Sequence, residues 1–441
     1  MSSTVTVIGA GLAGCEAAWQ LAQRQIPVTL YEMKPEKFSP AHSNSNLAEL
    51  VCSNSLRSDS PDHAAGLLKQ EMERCGSLIM EVARHTSIPA GSALAVDREA
   101  FSSQISKAIS SHPLISLVRG EISSLPTSGI TVIATGPLTS KALTDALTDI
   151  TGKHLYFYDA TAPIIAADSI NYDICFWGNR YQPEVRGDYL NCPLNREQYL
   201  QLVETIAAGD QVRAQEFEDQ KVFEGCMPIE AMVARGVETL AFGPLKPVGL
   251  VDPRTGSQAH AVVQLRSENR EESMLNLVGF QTRLTFPWQE KVVQLIPGLE
   301  NATIYRYGTM HRNTFINAPQ LLNRSFQHQK EPHLFFAGQI SGVEGYLESA
   351  ASGLIVGTQI ALQQQTGIFF PFPETCALGA LSTHITNTHS KNFQPMNINF
   401  GLFPPLGKKM KKAARKAAYG ERALADLDTW LQECQKRSPD C

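Results

Sequence analysis

The first thirty-two residues constrain the fold more than any other part of the chain. Thr4–Ile8 (TVTVI) is a short β-branched, apolar run, the pattern of a strand buried on both faces. Gly9, Gly11 and Gly14 follow in the order G-x-G-x-x-G and open a helix through Cys15–Arg24. A second strand, Pro27–Leu30, ends beside Glu32, eighteen residues after Gly14. Each residue type has a physical task. Gly9 makes the tight turn, Gly11 leaves the backbone bare for a pyrophosphate, and Gly14 lets the helix lie close to the strand. The helix N-terminus turns its positive end toward the phosphates, and Glu32 is placed to accept from a ribose hydroxyl. The strand before the motif, the helix after it and the acid at this distance predict a dinucleotide site built on Gly9, Ala10, Gly11, Leu12, Ala13, Gly14 and Glu32.

Composition narrows the class. A chain of 441 residues, 43% hydrophobic and 18% charged, has room for two or three ordinary globular domains. The net charge of −5 excludes a general polycation, so a nucleic-acid surface must be a local patch. No apolar run reaches bilayer length. The chain opens directly on a strand, so no export signal and a cytoplasmic location are expected. Its nine cysteines show no C-x-x-C and no zinc-like spacing, which reads as reduced thiols without a metal.

Further segments extend the nucleotide domain. Gly129–Thr135 is a short strand running into Gly136-Pro137, and Leu155–Asp159 reads as another strand of that domain. His333–Phe336 leads into Ala337-Gly338-Gln339, and a small-residue helix begins within Gly345–Gly353. Gly136, Gly338 and Gln339 are therefore additional cofactor candidates. Between these parts, Asn195 caps a helix with Tyr199, Leu202, Val203 and Ile206 on one face. Strand-like runs follow at Ala261–Leu265 and Leu275–Phe280. The expected class is α/β: a Rossmann-like dinucleotide-binding domain interrupted by an α+β insertion. The expected division is 1–190, 191–330 and 331–441.

Near the C-terminus, Lys408, Lys412, Arg415 and Arg422 share a helical face, with Ala413, Ala417, Leu424, Leu427 and Leu431 on another. A solvated helix docked on the core and a phosphate-contacting helix both fit this pattern. Two cysteines have a distinctive setting. Cys226, in Phe223–Pro228, precedes a helix whose first turn holds Pro228, where the dipole favours a thiolate. Cys52 lies among small polar residues, near Arg57 and after a Ser/Asn-rich loop containing His42. A buried inert thiol fits either spacing as well. Arg306–Asn313 gathers donors, aromatics and His311 into eight residues, a ligand-binding candidate.

The segments GAGLAGCEAAWQLA, ELVCSNSLRSD, FEGCMPIEAMVARG, RYGTMHRNTFINAP and FFAGQISGVEGYLESAASG together resemble the folate- and FAD-dependent tRNA (uracil-5-)-methyltransferases over nearly the whole chain. The last segment is shared more loosely with the tRNA wobble-uridine flavoproteins, whose C-terminal region is longer; here fewer than ninety residues follow Gly353. A simple FAD oxidoreductase of the disulfide-reductase type would carry a C-x-x-C. The resemblance implies that the Rossmann-like domain is an FAD-binding domain of the glutathione-reductase type, and that the chain methylates C5 of uridine 54 in the tRNA T-loop, with 5,10-methylenetetrahydrofolate as carbon donor and FAD reduced by NADPH or NADH. It implies Cys226 as the thiolate that adds to uracil C6 and Cys52 as a second catalytic thiol, with the two roles exchangeable. It places His311, Arg312, Asn313 and Tyr346 at the folate, and the insertion with the basic helix at the tRNA.

Overall fold

Five parallel strands form the sheet that carries the glycine motif. The computed structural model describes residues 4–152, 155–182, 186–212, 227–388, 393–407 and 410–438. The sheet order is Leu334–Phe336, Thr131–Ile133, Val5–Ile8, Val28–Glu32 and Ile115–Arg119. The first strand is central, with Val7 opposite both Leu30 and Val132. Its side chains are almost wholly buried, as a strand covered on both faces requires.

The helix Leu12–Gln23 and the helix Tyr346–Thr366 pack against one another across small residues. A Cβ on Gly353 would lie 2.1 Å from the Ala13 carbonyl oxygen, and one on Gly357 2.7 Å from that of Ala17. Any larger side chain would push the two helices apart. This close approach brings both helix N-termini to one edge of the sheet.

A second sheet is antiparallel and has six strands, in the order Phe176–Trp177, Tyr189–Leu194, Ala261–Ser267, Met274–Leu277, Ile164–Ala166 and Ile304–Arg306. It draws on residues 164–306 and so begins well before residue 191. The helix Arg196–Ala208 covers it, started by a full capping box between Asn195 and Gln198. Tyr199, Leu202, Val203 and Ile206 are buried, the stripe that the spacing predicts.

The strand Leu155–Ala160 is not part of the nucleotide sheet. It pairs antiparallel with Met310–Phe315, making a two-stranded ribbon that carries the chain out to the second sheet and back. Its partner lies about 150 residues away, so no local pattern reveals the pairing. A small three-stranded sheet of Ser55–Ser58, Ala93–Val96 and Ser87–Ile88 supports the segment that holds Cys52.

The C-terminal helix Lys412–Arg437 docks through Ala423, Leu427, Trp430 and Cys434. This face differs from the expected one: Ala417 is exposed, and Leu424 and Leu431 are only half-buried. The rotation is set by Trp430, which stacks on Phe372 at 4.1 Å between ring centres and donates from Nε1 to the Pro371 carbonyl at 3.0 Å. Among the described residues no helix is long and apolar enough to cross a membrane.

Candidate functional site

A cleft of about 1150 Å³, open solvent at its mouth included, lies at the carboxyl edge of the parallel sheet. This is where open α/β sheets bind ligands. Every expected cofactor residue except Gly14 lines it. Gly14 is used for packing: a Cβ there would sit 1.8 Å from the Gly9 carbonyl oxygen. Gly9 is held at φ +97°, with Ala134 so close that a Cβ would meet its oxygen at 2.6 Å. Gly11 is different. It caps the helix with extended backbone, and a Cβ on it would meet nothing within 4 Å. The bare face of Gly11 therefore opens on the space that a pyrophosphate would fill.

Glu32 is buried, and its carboxylate ties the second strand to the glycine turn. One oxygen accepts from the Ala10 amide at 3.1 Å and the other from the Lys34 amide at 3.0 Å. Each oxygen keeps a second lone pair for a ribose hydroxyl. Lys34 and His42, absent from the sequence-based candidates, also line the cleft. Lys34 Nζ is buried between the Asn46 carbonyl at 2.7 Å and Glu49 at 3.2 Å. Burial, with Lys34 nearby, holds the His42 imidazole below its ordinary pKa, so neutral imidazole is favoured. The signal for His42 is the loop Ser39–Asn46, folded back onto the cleft by Glu49, which accepts from Ser43 and Asn44.

At the far wall, Gly338 adopts φ +80° and its amide donates to Ser352 Oγ at 2.7 Å. Gln339 donates to Glu344 at 2.7 Å. Gly136, at φ +66°, faces open space. The residues present thus fit FAD: a bare backbone cradle at one helix N-terminus, a ribose-facing carboxylate and a second helix N-terminus across the cleft.

Tyr346 begins that second helix and also lines the cleft. Its hydroxyl is committed to the Cys52 loop: it accepts from the amides of Val51 at 2.9 Å and Cys52 at 2.7 Å and lies 2.9 Å from Cys52 Sγ. Burial pushes this phenol well above its usual pKa, and the Cys52 sulphur adds to the shift. Three arginines from separate elements brace the same loop. Arg98 donates to the Leu50 carbonyl at 2.6 Å and pairs with Glu268 at 2.7 Å. Arg306 donates to the Val51 carbonyl at 3.0 Å. Arg266 donates to Asn54 Oδ1 at 2.8 Å and Ser53 Oγ at 3.1 Å. Burial depresses the Arg306 pKa, and the neighbouring Arg98 depresses it further. Sequence reasoning missed Arg98 and Arg266, since each is a single arginine in an otherwise ordinary element.

Cys226 lies outside the described residues, as does Lys408. The chain is described again from Met227. Pro228 is the N-cap of Ile229–Val233, and not a first-turn residue as the spacing predicts. That helix has only five residues, too short for the dipole argument to carry weight. It is anchored by the Ile229 amide on the Gln281 carbonyl at 2.7 Å and by buried Glu230, which accepts from the Arg283 amide at 2.6 Å.

The backbone of His311, Arg312 and Asn313 runs in the ribbon, opposite Asp159, Tyr158 and Phe157. The side chains of His311 and Arg312 lie outside what is described; Asn313 is buried. The ribbon adjoins the cleft, since the Thr314 amide donates at 3.0 Å to the carbonyl of Pro137, a cleft residue. Of the basic helix, Arg415 is exposed. Arg422 is not a spare cation: it donates to the carbonyls of Pro404 at 2.6 Å and Pro405 at 3.2 Å and lies against the Tyr419 ring. It braces the preceding loop instead.

Comparison with known proteins places this geometry. The family model described as glucose inhibited division protein A matches residues 4–367. The chain is 58% identical to the methylenetetrahydrofolate–tRNA-(uracil-5-)-methyltransferase TrmFO of Geobacter sulfurreducens, over 98% of this chain and 99% of that one. It is 57% identical to the protein of the same name from Pelobacter propionicus, over 98% and 95% of the two chains. The solved structure of Aquifex aeolicus GidA superposes with a TM-score of 0.71 at 15% identity, covering all of this chain and 76% of that one, which shows a shared fold. The matched family model spans most of the chain and the methyltransferases match it end to end, so the chain belongs to the glucose inhibited division protein A family and, within it, to the methylenetetrahydrofolate–tRNA-(uracil-5-)-methyltransferases.

Proposed function

We propose that this chain transfers the one-carbon unit of 5,10-methylenetetrahydrofolate to C5 of a tRNA uracil, uridine 54 of the T-loop, with NADPH or NADH as the source of reducing equivalents. The observation that supports it most directly is a thiol, Cys52, 2.9 Å from a residue in the wall of a dinucleotide cleft, in a chain matched end to end by methyltransferases. Bound FAD supplies the redox chemistry and the carrier for the one-carbon unit. Glu32 and the bare backbone at Gly11 hold and orient it.

The other steps belong to protein side chains. Cys226 adds as a thiolate to uracil C6, which makes C5 a carbon nucleophile. Once the new C–C bond has formed, the C5 proton is removed and the sulphur leaves. Cys52 is the second thiol, assigned to methylene transfer or to that proton removal. His311, Arg312 and Asn313, on the ribbon beside Pro137, are assigned to the folate. The target uracil is flipped out of its loop to reach the cleft.

The test is transfer of label. With FAD, NADPH and folate labelled in its methylene carbon, unmodified tRNA is expected to gain label as 5-methyluridine. Flavin reduction without label in the tRNA would overturn the reading.

Arg415, Lys412 and Lys408 are assigned to the tRNA backbone. Reversing Arg415 and Lys412 to glutamate is expected to weaken tRNA binding at least about tenfold and to flatten the dependence of log K on log salt by about one to two units. Flavin reduction by NADPH is expected to stay unchanged. An unaltered salt slope would reduce the helix to a solvated face.

A further inference from the structure

Tyr346 joins two regions: it lines the cleft, and its hydroxyl is buried in the loop that carries Cys52. A phenol oxygen has two acceptor directions and one proton. The amides of Val51 and Cys52 occupy the acceptor directions, at 2.9 Å and 2.7 Å, with the Ser53 amide at 3.4 Å behind them. Such a row of successive amides is a concave site for negative charge. With both acceptor directions filled, the phenol proton turns to Cys52 Sγ, which lies within reach at 2.9 Å among the described residues. The sulphur is the acceptor in that contact, and a sulphur that accepts a strong hydrogen bond is biased toward thiolate.

The surrounding charges act in the same direction. Arg98, from the helix Arg98–Ser111, and Arg306, from the strand Ile304–Arg306, both hold carbonyls of this loop, at Leu50 and Val51. Arg266, from the strand Ala261–Ser267, fixes Ser53 and Asn54. Glu268 is paired with Arg98, Glu348 with Arg57 and Glu49 with Lys34. With those pairs balanced, Arg266 and Arg306 leave the loop electropositive.

We propose that Tyr346 is a positioning residue for Cys52: it donates its phenol proton to the sulphur, and so aims the thiol and holds it as thiolate at neutral pH. Methyl transfer enters only through the reading of Cys52 as a working thiol. The contact itself is independent of that reading.

The test is alkylation of Cys52 by iodoacetamide in the FAD-loaded full chain, followed peptide by peptide by mass spectrometry across the thiol titration range. Tyr346→Phe keeps the ring and removes the proton. It is expected to slow Cys52 labelling at neutral pH about tenfold and to raise the midpoint of the pH profile by about one unit. An unchanged midpoint would overturn the proposal. If Tyr346→Phe does not retain FAD, fluorotyrosine at position 346 preserves the shape and makes the phenol more acidic. The Cys52 midpoint is then expected to fall, and an unmoved midpoint would again overturn the proposal. Methyl transfer by the same variants separates the two readings. Normal transfer with a shifted midpoint keeps this proposal and shows that the thiolate fraction of Cys52 does not limit methyl transfer; Cys52→Ala then decides whether the thiol takes part.

Discussion

Gly11→Leu is expected to give a folded protein that purifies without its flavin. The two neighbouring glycines are forced by protein atoms: Gly9 and Gly14 would each drive a Cβ into the backbone, at 2.6 Å and 1.8 Å. Gly11 is free of such conflict, since a Cβ on it meets nothing within 4 Å. A side chain at Gly11 therefore leaves the strand–turn–helix intact and intrudes only on the bound pyrophosphate. Overpacking of this kind costs about 1–3 kcal/mol, so FAD affinity is expected to fall about ten- to a hundredfold. Far-UV dichroism is expected to stay unchanged. Gly14→Ala is the contrasting variant: it must move the helix off the Gly9 carbonyl and is expected to lower the melting temperature as well. Yellow, fully loaded Gly11→Leu protein would show that the cofactor does not approach this backbone.

Cys226→Ala is expected to abolish methyl transfer, a drop of about a thousandfold or more, while FAD stays bound and reducible by NADPH. The segment that follows is held without the thiol. Its anchors are the Ile229 amide on Gln281, buried Glu230 on Thr282 and Arg283, and the Thr282 amide on the Thr161 carbonyl at 3.1 Å. Loss of one sulphur leaves these contacts in place, so the variant separates chemistry from folding. Transfer at near-normal rate would remove Cys226 as the nucleophile, and comparison with Cys52→Ala would show whether the two thiols exchange roles.

The nucleotide half of the fold was legible because its physics is local. A buried strand, a glycine turn and a helix start lie within a few residues, and a carboxylate completes them. The capping box at Asn195 and the stripe through Ile206 are legible for the same reason. What was not legible depends on contacts far apart in the chain. Leu155–Ala160 has the composition of a sheet strand, yet its partner is Met310–Phe315. The C-terminal helix could pack through more than one run of alanines and leucines, and the Trp430 stack on Phe372 selects the face. Arg422 has the spacing of a basic stripe, but two proline carbonyls claim it. At the site, Tyr346 was assigned to folate by resemblance. Its hydroxyl partners lie almost 300 residues earlier, beyond any motif.

The ribbon also bears on how such a protein is put together. At its outer end Thr161 and Thr309 are bonded to each other, amide to carbonyl at 2.8 Å and amide to hydroxyl at 2.9 Å. Everything between them leaves and returns through a single ladder rung. A tight turn joining those two residues would close the ribbon as a plain hairpin and leave the order of the parallel sheet untouched. The chain thus enters the second sheet at one point, yet that sheet reaches back through Arg266, Glu268 and Arg306 to hold the Cys52 loop. Excising the module at the rung would spare the glycine cradle and strip the bracing from the thiol, so cofactor holding and thiol alignment are separable by a single deletion.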